Sequence, residues 1–133
     1  MKTTILILAS ALALTSLATA APPKPVDVSK LPPPSSRADV TYAKDIQPIL
    51  QKSCFECHGP KKAKGKLRLD SLPGVLKGSE DGKVVKPGDS AQSVLVHSVA
   101  LPVKKAMPPK DKGAKLSTEQ VALLRAWIDQ GAK

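Results

Sequence analysis

Aromatic side chains are nearly missing from this chain: Tyr42, Phe55 and Trp127 are the only three in 133 residues. A globular unit of about a hundred residues leans on large flat side chains to fill its centre, so three leave a deficit of apolar mass. A bound apolar group would make up that deficit, and folding is expected to depend on one. Cysteine is equally scarce, with Cys54 and Cys57 alone, which excludes the disulfide-dense class of small exported domains. The only histidines are His58 and His97, and Met107 is the only methionine besides the initiator. Carboxylates are outnumbered, 11 against 21 lysines and arginines, giving a formal charge of +10.

What is present begins with an export signal. Lys2 precedes an apolar run from Ile5 to about Leu17, and Ala18-Thr19-Ala20 stands before Ala21, the order of a secretory signal peptide over residues 1–20 cleaved after Ala20. The run falls short of the roughly 20 strongly apolar residues a membrane span needs. No cysteine follows the cleavage site, which argues against a lipid anchor. Cleavage removes Lys2, so the exported chain keeps a charge of +9. Nucleic acid is a partner an exported protein rarely meets; acidic protein faces or anionic membrane surfaces are the expected partners. The chain is expected to be a monomer.

Cys54-Phe55-Glu56-Cys57-His58 organises the rest. Two cysteines three apart lie on one side of a helical turn with a histidine directly after, the spacing of a c-type haem attachment site. Cys54 and Cys57 would hold one porphyrin as thioethers, and the His58 imidazole would reach the iron. A closed zinc site needs four ligands, for which only His97 remains outside the pentapeptide. A redox Cys-x-x-Cys pair belongs in a βαβ setting that the chain does not show. A disulfide across three residues closes too small a loop to stabilise much.

Around this centre the chain reads as short helices. Residues 21–38, with six prolines among 22–34, have no apolar period and read as a disordered linker, leaving 39–133 as the domain. Ile46, Ile49 and Leu50 place a helix over Asp45 to Ser53, with Pro48 in its first turn, delivering Cys54. Lys61 to Lys66 form a basic loop after Gly59-Pro60. Asp70 or Ser71 caps a short helix ending at Gly78, and a surface loop with a brief extended piece at Val84-Val85 follows. A further helix is expected from Asp89 or Ser90 to about Val99. Ser117 and Gln120 form a capping box for the clearest helix, Thr118 to Gln130, whose stripe of Val121, Leu124 and Ile128 is widened by Leu123 and Trp127. Trp127 is expected in the core, its indole N–H a candidate donor to a haem propionate.

Met107 precedes Pro108-Pro109, which limit the backbone freedom behind its sulfur. A weak thioether ligand benefits from that stiffness, since ordering a loose loop on coordination would offset the small free energy of the bond. Met107 is therefore the expected distal ligand, with His97 its rival. A Met/His pair raises the iron potential relative to two nitrogen ligands.

With these residues together, the chain resembles the class I cytochrome c fold and, more narrowly, the planctomycete-type cytochrome c domain. The resemblance runs through Asp45–Leu50, Cys54–Pro60, Leu67–Asp70, Pro87–Asp89, Met107–Pro109 and Leu123–Ala132. It implies an all-α domain with first and last helices packed beside one covalently attached haem, His58 proximal and Met107 distal. The expected function is a soluble periplasmic one-electron carrier, not an enzyme. Lysines 61, 62, 64, 66, 104, 105, 110 and 112 are placed to ring an exposed haem edge. The alternative is a haem-based gas sensor in which Met107 is displaced.

Overall fold

Trp127 sits at the centre of the architecture, fully buried on the last helix and tilted against Tyr42 with ring centroids 6.0 Å apart. The structure is a computed structural model describing residues 25–133; the signal peptide expected over residues 1–20 lies outside them. Its helices are α1 (Gln47–Ser53), α2 (Phe55–His58), α3 (Leu72–Lys77), α4 (Val94–Ala100) and α5 (Thr118–Asp129). A π-helical turn, Tyr42–Ile46, leads directly into α1. Among the described residues no β-strand forms beyond two isolated bridges, so the fold is all-α.

Side chains satisfy free amides at the starts of the π turn, α3 and α5. Thr41 accepts from the Lys44 amide at the π turn, and Pro48 sits in the first turn of α1, where a missing N–H costs nothing. Ser71 caps α3 by accepting from the Gly74 amide. At α5 the box is complete: Ser117 Oγ accepts from the Gln120 amide at 3.2 Å and Gln120 Oε1 from the Ser117 amide at 2.9 Å. Such a cap stabilises by about 1 kcal/mol. The α5 stripe of Val121, Leu124, Trp127 and Ile128 is buried as its spacing requires, against α4 and the Tyr42–Ile46 turn. The core continues through Ile46, Leu50, Leu69, Val75 and Val96.

Four expectations change. The segment read as a linker is built into the fold from residue 25 onward: Leu31 is buried, the Ser35 amide donates to the Ala122 carbonyl at 2.9 Å, and Arg125 donates to the Pro32 carbonyl. Gln130 grips the same segment from below, accepting from the Val40 amide and donating to the Arg37 carbonyl. Proline-rich backbone carries free carbonyls, and α5 supplies the donors that fix them. Second, the helix expected from Asp89 is broken: Asp89 caps a 3-10 turn, Ser90–Gln92, and Ser93 is extended before α4 begins. The Ser93 hydroxyl explains the break, accepting from the Lys86 amide and donating to the Asp89 carbonyl in competition with helical pairing. Third, Val84 and Val85 are buried rather than on a surface loop. Fourth, the Trp127 indole donates to the Lys133 carbonyl at 2.8 Å, which leaves no N–H for a propionate.

Candidate functional site

The cysteine-bearing turn is the joint between two helices. The Cys54 amide donates back to the Leu50 carbonyl at 2.7 Å, closing α1, while Cys54 itself (φ −127°, ψ −30°) turns the chain into α2. Its carbonyl then accepts from both the Cys57 and His58 amides, at 3.1 and 2.8 Å. One carbonyl thus holds three chemistry-bearing residues in one turn. Gly59 follows because nothing larger fits: a Cβ there would stand 2.3 Å from the Phe55 carbonyl oxygen.

His58 is further anchored through its backbone. Its carbonyl accepts from the Leu69 amide at 2.7 Å, and the Leu69 carbonyl accepts from the Tyr42 hydroxyl at 2.7 Å. This relay links the Tyr42–Trp127 pair in the core to the site. Burial, helped by the nearby Asp70 charge, pushes the Tyr42 hydroxyl up to about 12, so it remains a donor well into the alkaline range.

Cys54, Cys57, His58 and Met107 all line one cleft of about 310 Å³. Its walls are mostly aliphatic, from Leu67, Leu69, Val84, Leu95 and Val99, with Val94 half exposed at the edge. Both cysteines are free, and burial pushes the Cys54 thiol up to about 11, which keeps it protonated and slow to oxidise at neutral pH. His58 Nδ1 is buried without a hydrogen-bond partner. A half-buried imidazole with one buried, unpartnered nitrogen, beside two free thiols in an apolar slot, fits a covalently attached haem.

The two candidate sixth ligands are separated by the fold. The Met107 amide donates to the Ser98 carbonyl at 2.7 Å, and both residues line the cleft. The same loop returns at Gly113 to lie against the end of α1, where a Cβ would come within 3.0 Å of the Ser53 carbonyl oxygen and 3.3 Å of Pro108. His97 does not line the cleft, and its Nε2 lies 2.6 Å from the Ala91 carbonyl oxygen. Among the described residues no group of three or more His, Cys, Asp and Glu side chains assembles, which removes the zinc reading.

Charge around the cleft differs from a basic ring. Of the eight lysines singled out in the sequence, only Lys64, Lys105 and Lys112 line it, and Glu56, Glu80 and Asp81 line it too. Lys105 and Asp81 pair at 3.5 Å, both well exposed. The lining is balanced in formal charge. Sequence reasoning missed Tyr42, Ser98 and Gly113: a buried tyrosine, a main-chain carbonyl and a close approach carry no motif.

Residues 54–111 match the family model described as Planctomycete cytochrome C. No curated protein and no solved structure matches the chain.

Proposed function

We propose, on the premise that residues 54–111 form a planctomycete-type cytochrome c domain, that the protein is an exported carrier of single electrons and not an enzyme. Haem-based electron transfer is the general activity of such a domain. The observation that carries the finer reading is the meeting of Cys54, Cys57, His58 and Met107 on one apolar cleft. When bound, a single haem supplies the ferric/ferrous couple.

The chain's own residues would do the rest. Cys54 and Cys57 would hold the porphyrin through two thioethers, and His58 and Met107 would be ligands to the iron. The hydrogen bonds from Leu69 to His58 and from Tyr42 to Leu69 would hold the proximal turn in place through both oxidation states. The aliphatic walls would keep water from the iron, which favours the less charged ferrous form. His97, engaged with Ala91 and away from the cleft, is not needed as a ligand. Attachment of a c-type haem outside the cytoplasmic membrane accords with the signal segment over residues 1–20 and a periplasmic location.

The test is the visible spectrum of the purified exported protein, oxidised and reduced, beside Met107→Ala. A covalent haem with the weak red-edge sulfur-to-iron band, abolished in the variant, is the expected result. Covalent haem without that band would overturn Met107 as ligand and move the reading to a sensor with a displaceable position. Absence of haem in a host competent for attachment would overturn the whole reading.

A further inference from the structure

A second concavity lies behind Met107. This groove, of about 720 Å³, runs between the proline-rich segment (Lys30, Pro32, Pro33), the end of α4 and the start of α5. Ser98, Val99, Met107 and Pro108 line both the groove and the cleft, so they form a wall common to the two.

The two concavities differ in charge. The cleft lining carries three lysines and three carboxylates, whereas the groove lining carries Lys30 and Lys115 and no carboxylate. Asp27 approaches Lys30 at 3.7 Å, but both are more than half exposed, and such a pair is weak. Apart from Ser98 and Thr118, the remaining lining is aliphatic and proline-rich. Its walls are held in advance: Arg125 pins the Pro32 carbonyl and the Ser90 hydroxyl, and Ala122 holds the Ser35 amide. A preformed surface loses little ordering entropy on binding.

We propose that this groove, and not the mouth of the cleft, is the docking surface for the acidic face of a redox protein, with Met107 and Pro108 as the thin wall across which the electron passes. The proposal rests on the carrier reading above and names its partner's chemistry. A second copy of this chain is a poor occupant, because two exported chains of charge +9 repel. An apolar floor beside Lys30 and Lys115, with no carboxylate in the lining, suits a partner that brings carboxylates around an apolar contact.

The experiment uses the holoprotein and three double charge reversals of equal net charge: Lys30→Glu with Lys115→Glu in the groove, Lys64→Glu with Lys112→Glu at the cleft, and Lys61→Glu with Lys62→Glu apart from both. Stopped-flow kinetics follow the one electron passed from the reduced protein to hexacyanoferrate(III), at low and high salt, with and without poly-L-glutamate as a macromolecular acidic competitor. The groove reversal is expected to lower the low-salt rate by about tenfold, more than either other pair, with the difference gone at about 1 M salt. Poly-L-glutamate is expected to slow the parent and the cleft variant, and to leave the groove variant unaffected.

An equal or larger loss in the cleft variant, or inhibition by poly-L-glutamate that survives the groove reversal, would overturn the proposal. Self-association, or co-sedimentation with phosphatidylglycerol vesicles, abolished by the groove reversal while the hexacyanoferrate rate is unchanged, would reassign the groove and overturn it also. Failure of the carrier reading looks different: the protein would then show no reversible haem reduction to time.

Discussion

Tyr42→Phe isolates the relay that joins the core to the site. The hydroxyl donates to the Leu69 carbonyl at 2.7 Å, and Leu69 in turn holds the His58 carbonyl. Removing a buried donor leaves the Leu69 carbonyl without it, a cost of about 1–2 kcal/mol at neutral pH. The same hydroxyl has its acid dissociation raised from 10.0 to about 12, chiefly by burial. A raised folded value means stability that is complete below the unfolded value and lost as pH climbs towards the folded one. At about pH 11 that loss is the logarithm of (1 + 10)/(1 + 0.1), or about 1.4 kcal/mol. Phenylalanine does not titrate, so the variant escapes it. Lysine deprotonation affects both proteins alike and cancels in the difference. Guanidinium unfolding of the haem protein at steps from about pH 7 to 11 should therefore show the parent ahead by about 1–2 kcal/mol at neutrality and the two converging near pH 11. Parallel curves at all pH values would refute the burial argument. Equal stability at neutral pH would refute the relay.

Two further substitutions probe the local geometry. Gly59→Ala drives a methyl into the Phe55 carbonyl oxygen, at 2.3 Å, so the turn carrying His58 must open; destabilisation of about 3 kcal/mol or more and a low yield of attached haem are expected, measured by denaturant unfolding and by the haem-to-protein absorbance ratio. Arg125→Met keeps the stem but loses two guanidinium hydrogen bonds, to Pro32 and Ser90; a loss of about 2 kcal/mol is expected, with faster amide exchange at Ser35, whose only backbone partner is Ala122. Exchange at Ser35 unchanged by that variant would mean that the proline-rich segment is held without Arg125.

Local chemistry is the part of this protein that its sequence determined. Spacing alone puts Cys54, Cys57 and His58 on one turn, because an α-turn has only one way to arrange positions three and four apart. The caps at Ser71, Asp89 and Ser117 are likewise local, each a side chain reaching an amide three residues on. The buried face of α5 follows from its 3.6-residue period. Such features need no knowledge of the rest of the chain.

Tertiary structure decided whatever depends on a distant partner. The proline-rich segment looks like a linker because it has no pattern of its own, and it becomes part of the fold through partners about ninety residues away, donors on Arg125 and Gln130 and the Ala122 carbonyl. Met107 and His97 are equally plausible ligands as residue types; the Ser98 carbonyl puts Met107 on the cleft, and the Ala91 carbonyl occupies His97. The lysines read as one basic ring in the sequence, yet folding brings Glu56, Glu80 and Asp81 among those at the cleft and lines the groove with Lys30 and Lys115 and no carboxylate. Charge and hydrogen-bond capacity are written residue by residue, but what each side chain faces is set by packing, because electrostatic and hydrogen-bond energies depend on separations of a few ångströms that sequence distance does not encode.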